Sequence, residues 1–200
     1  MLDSAKQDSG ESLRELSPEY INSLPILTFR GPIHIIDTSK ELSGLLNSLL
    51  GEPAIGFDTE SRPSFIKGKS YPISLLQFAT QSDAYIVRLR KTGFTDELKS
   101  FFESAIEKVG VGLKDDMRKL QAERKFNPRG MVDLSEIAKS KGHIKSSLRA
   151  LSAKYLQQRI VKSSQKTNWA RVNLTESQLR YAATDAWACL LIRPCLESDK

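Results

Sequence analysis

The stretch Ala54-Ile55-Gly56-Phe57-Asp58-Thr59-Glu60 decides how this chain reads. Its opening residues form the short apolar run of a buried strand, expected over Ala54 to Asp58. Residues i and i+2 of a strand project to one face, so Asp58 and Glu60 are expected side by side at the strand end. Two carboxylates that close repel, which raises the pKa of at least one, and a cation between them relieves the repulsion. The plain alternative is an exposed strand end running into a polar turn. The rest of the chain has to choose between the two.

On either side of this run the chain alternates. Ser17-Pro18-Glu19 has the start of a short helix, with Pro at the first helical position. Ile33 to Ile36 reads as a strand, and Ser39 to Leu50 as an amphipathic helix stopped by Gly51. Arg62 to Tyr71 is a basic loop. Ser74 to Ala79 and Ala84 to Val87 read as two strands across a polar turn, a hairpin. Helices are expected over Thr95 to Ala105, Lys114 to Glu123 and Ser147 to Leu156. Short strands are expected at Lys108 to Val111 and Met131 to Asp133, the latter followed by a helix. A second basic loop, Gln157 to Asn173, leads to a final helix opened by the capping box Thr175-Glu176-Ser177-Gln178. Antiparallel strands followed by alternating strands and helices imply an α/β domain with a mixed sheet.

The final helix supplies another acid. Leu179, Ala183, Ala186 and Leu190 make one apolar stripe, and Tyr181, Asp185, Ala188 and Ile192 a second on the opposite side. A helix with two such faces is sandwiched between layers. Asp185 therefore sits in an apolar row, where a carboxylate needs a partner, a hydrogen bond or a metal. Tyr181, one turn away, can bring its hydroxyl beside Asp185. Near Gly112, Leu113, Met117 and Leu120 form the inward stripe of a helix. At about 100° per residue, Asp116 lies about 60° from Leu113 and faces the protein, while Asp115 lies about 160° away and faces solvent. Asp115 is then a first-turn charge favoured by the helix dipole.

The 200 residues are enough for one domain with a core. Residues 1–24 carry two basic and five acidic side chains, a net of −3, so the remainder carries +9 within a total of +6. A basic body favours polyanions such as nucleic acid. Cys189 and Cys195 lie in one helix, where six residues rise about 9 Å, beyond the roughly 7 Å reach of a disulfide. With two cysteines and only His34 and His143, a zinc site is not expected. The free thiols fit a reducing compartment, so the expected location is cytoplasmic, or nuclear in a eukaryotic cell. No apolar run approaches the length of a membrane span, and the polar, acidic N-terminus lacks a signal-peptide core.

Asp58-Thr-Glu60, Gly112-Leu-Lys-Asp-Asp116 and Tyr181-Ala-Ala-Thr-Asp185, in that order, resemble the three motifs of the DEDDy 3′–5′ exonuclease superfamily. The likeness is closer to the Werner syndrome exonuclease domain and ribonuclease D branch than to polymerase proofreading domains. It runs from about Ile33 to Leu196 and includes Leu75-Leu76-Gln77-Phe78, Asn168-Trp169 and Leu174-Thr175 through Gln178. The resemblance implies a ribonuclease-H-like fold, with a mixed central sheet flanked by helices, over residues 25–200. Residues 1–24 would then form an N-terminal tail and short helix. It implies that Asp58, Glu60, Asp116 and Asp185 hold two divalent cations, Mg²⁺ or Mn²⁺, with Tyr181 positioning the attacking water. Family members with His carry it where Arg180 stands here.

The implied activity is hydrolysis of nucleic acid from the 3′ end, releasing nucleoside 5′-monophosphates. Its alternatives are a catalytically weak binding module, an RNA 3′-end processing nuclease and an unrelated metal-dependent phosphoesterase acting on small nucleotides. Arg62, Lys67 and Lys69 are expected to meet substrate phosphates. So are Arg159, Lys162, Lys166 and Arg171 around Trp169, whose ring is either a base-stacking platform or, more simply, core. Gln77, Asp133 and His143 are left open between supporting the site and serving the fold. Ribonuclease D relatives carry C-terminal helical domains that grip RNA. None follows before Lys200, which leans the expectation toward DNA over RNA and toward a DNA-repair setting. Werner-type relatives work beside a helicase, so a separate helicase partner is left open, as is the oligomeric state.

Overall fold

The computed structural model describes residues 16–64, 66, 68, 70–161 and 167–199. Six strands form one sheet: β1 (Ile33–Ile36), β2 (Ala54–Ser61), β3 (Ile73–Ala79), β4 (Ala84–Arg88), β5 (Glu107–Gly110) and β6 (Met131–Asp133). Their order across the sheet is β1-β4-β3-β2-β5-β6. β2, β3 and β4 are antiparallel neighbours, while β1 runs parallel to β4, and β5 and β6 run parallel to β2. This is the mixed sheet expected from the sequence.

Period-two alternation sorts the strand residues between two layers. Ile55, Phe57, Leu76, Phe78 and Val87 face one way, onto α2 (Ser39–Leu49), α4 (Asp96–Glu103) and α5 (Leu113–Glu123). Phe57, Phe78 and Phe102 pack ring against ring in this layer, with centroids 5.5–6.5 Å apart. Leu75, Ala79, Ala84 and Ile86 face the other way, beneath α8 (Glu176–Ser198). The far side of α8 is covered by α6 (Leu134–Ser140) and α7 (Leu148–Leu156), through Leu134, Ala138 and Leu151. Every residue of β3 is buried, as a central strand covered on both faces requires. α8 is thus the sandwiched helix that its two apolar stripes predict.

The differences from expectation are local. β2 does not end at Asp58 but continues through Ser61, because β3 runs beside it and pairs Asp58 with Gln77 and Glu60 with Leu75. On its other edge β2 pairs with β5 only as far as Gly56. The acidic stretch is therefore laddered on one side and open on the other. The short α3 (Leu89–Thr92) closes the end of β4 without a side-chain cap to announce it. α8 continues past Pro194 to Ser198.

α1 (Pro18–Ser23) starts as expected, with Ser17 as N-cap and Pro18 at the first helical position. It is tied to the body by Asn22, which accepts from Arg149, and by Tyr20, which donates to Gln157. The strand-like segment after it bridges to Arg159, through Leu27 N to Arg159 O at 2.9 Å and Arg159 N to Pro25 O at 2.8 Å. Both cysteines are free, and no helix among the described residues is long and apolar enough to cross a membrane.

Candidate active site

Gly56, Asp58 and Glu60 alternate onto the face of β2 that meets α8. Gly56 sets how close the helix comes. A Cβ there would stand 2.0 Å from the Ala186 carbonyl oxygen, so only glycine lets the α8 backbone rest on the strand. Asp185 precedes Ala186 and is thereby lowered onto the two strand carboxylates. Asp58, Glu60 and Asp185 each offer an oxygen within 4.8 Å of the others.

The fourth acid arrives from the opposite layer. β5 ends at Gly110, and the chain turns through Gly112 at φ 76° into α5, a conformation glycine adopts without steric cost. α5 has no side-chain N-cap of its own. Asp133, at the end of β6, accepts instead from Gly112 N at 3.0 Å and Leu113 N at 2.8 Å, and also caps α6 through Ser135 N at 2.9 Å. Asp133 therefore serves the fold, fixing the first turn of α5, on which Asp116 sits. Asp116 turns inward and accepts a 2.7 Å hydrogen bond from the Thr59 hydroxyl. Asp115 faces solvent, with a side chain 76% exposed and paired to Arg118. The helix-face expectation holds for both. Asp116 stands outside the three-carboxylate group, held at its margin by the residue between Asp58 and Glu60.

Burial and crowding dominate the electrostatics. Burial pushes the Asp58 carboxyl well above the usual range, and the charges of Asp185 and Asp116 push it further. Glu60 is raised to about 10, by burial first and then by Asp58 and Asp185. Asp185 is raised by burial, with the Tyr181 hydroxyl opposing, and Asp116 is raised by burial against the Thr59 hydrogen bond. Asp185 Oδ1 is buried with no hydrogen-bond partner among the described residues. A buried acceptor without a donor is costly, and four crowded carboxyls cannot all ionise without a countercharge. Divalent cations fit both features, and an all-oxygen donor set suits Mg²⁺ or Mn²⁺.

Tyr181 lies one turn before Asp185 and forms part of the wall of a 280 Å³ cleft containing Asp58, Glu60 and Asp185. Burial and the Asp185 charge raise its phenol above the ordinary value. Trp169 is 1% exposed and packs behind Tyr181, ring centroids 5.9 Å apart, with Leu75, Ile86 and Ala182. Of the two readings of this ring, the structure excludes the base-stacking platform and keeps the core one: its neighbours cover it, and it has no open face for a base. Cys189 also reaches the cleft wall. Its thiol donates back to the Asp185 carbonyl and is pushed up by burial, which keeps it protonated rather than nucleophilic.

The basic residues divide. Arg62 is exposed, its guanidinium 5.0 Å from the Tyr71 ring centre, and Arg171 is exposed. Lys67, Lys69, Lys162 and Lys166 lie outside the described residues. Arg159 donates to Leu24 O and braces the N-terminal segment. Arg180 turns away from the carboxylates to the carbonyls of Phe29 and Gly31. His143 sits away from the cleft, between Tyr155 and Asp199. Gln77 is fully buried opposite Asp58, and neither atom of its amide finds a partner among the described residues. Sequence reading missed Thr59, Gly56 and Arg149. Thr59 was legible in principle, since the residue between Asp58 and Glu60 must face the layer that carries Asp116. Arg149 carries no local signal, because only the tertiary fold brings α7 across the cleft.

The model of a 3′–5′ exonuclease family matches residues 33–199. The mouse bifunctional 3′–5′ exonuclease/ATP-dependent helicase WRN is 31% identical over 182 residues, covering 86% of this chain and 13% of that protein. The chain spans about half or less of the other curated relatives of this rank. The catalytic core of RRP6 from Trypanosoma brucei superposes with a TM-score of 0.76 at 25% identity, covering 94% of this chain and 54% of that one. Trypanosoma brucei ribonuclease D, in complex with RNA U12, superposes with a TM-score of 0.76 at 19% identity, covering 86% and 64%, and bears on the fold alone. With the family model matching nearly the whole described chain, this protein belongs to the 3′–5′ exonuclease family.

Proposed function

We propose that this chain is a divalent-metal-dependent exonuclease that cuts phosphodiester bonds from the 3′ end of a nucleic acid, releasing nucleoside 5′-monophosphates. The observation that carries the reading is the convergence of Asp58, Glu60 and Asp185 within 4.8 Å, in a cleft where burial raises all three carboxyls. These three, with Asp116 at the margin, would hold the cations. When bound, such ions polarise a phosphoryl oxygen and make water a usable nucleophile near neutral pH. Thr59 holds Asp116 in place, and Gly56 holds α8 and Asp185 against β2. An ordinary phenol is already protonated at neutral pH, and burial beside Asp185 raises Tyr181 further, so its hydroxyl is placed to donate a hydrogen bond to water or phosphate rather than to act as a base. The +9 carried outside residues 1–24 suits a polyanionic substrate.

DNA is the first polymer to test. RNA is the second reading, favoured by the shared fold with a ribonuclease D crystallised on RNA. A binding module without catalysis is disfavoured, because all four acids and Tyr181 are in place. The deciding experiment digests 3′- and 5′-labelled DNA and RNA, single- and double-stranded, with Mg²⁺, Mn²⁺ or EDTA. Stepwise shortening from the 3′ end is expected, abolished by EDTA and nearly abolished in Asp58→Ala and Asp185→Ala. Activity that survives EDTA or either substitution would overturn the two-metal reading. The relative rates on the two polymers decide the substrate.

A further inference from the structure

The cleft that holds the carboxylates has a second wall, formed by the first turn of α7 with Ser147, Leu148 and Arg149. Arg149 is half-buried, and its guanidinium is already aimed, with Nη1 donating to Ile160 O at 3.0 Å and Nη2 to Asn22. Arginine carries five N–H donors, so donors remain for a third partner. Arg149 is the one cation among the described residues of this cleft wall. An arginine that shares the cleft with the acids but is bonded to none of them, held by two acceptors with donors to spare, is placed to take an anion lying along that wall.

Ser147 and Arg149 also line a second, adjoining cleft of 630 Å³ between α1 and the segment leading into α7. Its described lining carries two cations, Lys145 and Arg149, and no acid. Lys145 is exposed, and one of its three donors reaches Leu16 O at 2.6 Å. The positive end of α7 opens into the same space, through the cap at Ser147, and adds to the attraction for an anion. The two clefts adjoin at Ser147 and Arg149, which line both, so the carboxylates, Arg149 and Lys145 follow one another along the surface.

The geometry points to this path as the track for the sugar-phosphate backbone upstream of the 3′ end, with Arg149 and Lys145 each taking a phosphate that is not the one cleaved. It rests on the exonuclease reading for the position of the 3′ end. It adds a contact set separate from the basic loops around residues 62–71 and 157–173. It also gives α1 a part in substrate binding, because Asn22 holds the guanidinium that meets the strand.

The test compares Arg149→Gln, Arg149→Lys and Lys145→Gln with the parent chain. Binding of a labelled 12-nucleotide single strand is followed by anisotropy in EDTA at 50–200 mM KCl. Cleavage is followed with Mg²⁺ on the same strand and on a dinucleoside monophosphate, which has a single phosphate. Each phosphate contact to a single strand contributes about 0.7 to the slope of log K against log salt. Each Gln variant is expected to flatten the slope by about that amount and to raise KM on the 12-mer about five- to tenfold, with a much smaller change in kcat. The loss in kcat/KM should be several times greater on the 12-mer than on the dinucleotide, and Arg149→Lys should recover part of the slope. An unchanged slope, or an equal loss on both substrates, overturns the track. Lys145→Gln decides the matter if Arg149→Gln proves unstable, since Lys145 braces no part of the core. Parent chain that binds but does not cleave would sink the exonuclease reading, while the slopes still judge the track. Parent chain that does not bind would sink both.

Discussion

A tyrosine next to an acid cluster invites the role of base, and the surroundings of Tyr181 argue against it. The phenol is half-buried and faces Asp185, so ionising it would add another negative charge to a site already short of countercharge. What the hydroxyl does well there is donate. A hydrogen bond to a charged group is worth about 1.5–3 kcal/mol, equivalent to roughly 10- to 100-fold in rate when it is made only in the transition state. Tyr181→Phe is therefore expected to slow cleavage by about that factor while leaving Mg²⁺ affinity, measured by calorimetry, within about twofold. The substitution also keeps the ring that packs on Trp169, so the melting temperature should hardly move. An unchanged rate would remove the hydroxyl from the mechanism. A collapse of metal affinity would make it part of the ion site instead.

At the scale of elements, the site depends on how closely a helix can approach a strand. Ala182, Ala183 and Ala186 line the face of α8 that lies on the sheet, and Gly56 removes the last obstacle beneath Ala186. A methyl group at residue 56 would meet the Ala186 carbonyl carbon and oxygen at 2.7 and 2.0 Å. Both are backbone atoms, so the helix itself must move. Overpacking of this kind costs about 1–3 kcal/mol, and a displacement of about 1 Å at a reacting centre costs on the order of 100-fold in rate. Gly56→Ala should thus lose far more activity, assayed well below its melting point, than its stability loss accounts for. Gly44 is the control, an exposed α2 position where an added Cβ meets nothing within 4 Å. Gly44→Ala should keep activity and gain about 0.5–1 kcal/mol. Equal activity in the two variants would mean that the α8 approach does not set the site. The elements themselves were largely legible, because strand alternation, capping boxes and the two-faced α8 are local patterns. The extension of β2 to Ser61 was not, since its polar residues are held as strand by pairing with β3, a long-range contact. Trp169 marks a similar limit: the sequence offers both a base-stacking platform and a core ring, with core the simpler, and only the fold that covers the ring decides for core. The acids were legible as motifs, but that three gather while Asp116 waits on Thr59 is decided by which sheet face each element occupies.

Across the whole molecule, the acid cluster couples stability, pH and metal. Glu60 has its carboxyl raised to about 10 from 4.5 by burial and like charge, and Asp58 and Asp185 shift the same way. Between those values the metal-free folded chain holds a proton that the unfolded chain has lost. The stability contributed by that protonated group is fully present below about pH 4.5 and is lost progressively as pH rises toward 10. Divalent cations bind the ionised carboxyls, so binding must expel those protons and must strengthen with pH. In EDTA, the melting temperature is expected to fall from pH 6 to 9 more steeply in the parent chain than in Glu60→Gln, whose amide does not titrate. Comparing the two removes contributions from the rest of the molecule, including His143, whose imidazole burial pushes below its ordinary value. Saturating Mg²⁺ should raise the parent chain's melting temperature, by an increment that grows across the same pH range. Calorimetric titrations of Mg²⁺ in buffers of different ionisation heat should register proton release that shrinks as pH rises. Parallel slopes for the parent chain and Glu60→Gln in EDTA, together with a Mg²⁺ increment indifferent to pH, would mean that the cluster is ionised without metal, and the electrostatic case for a divalent centre would fail.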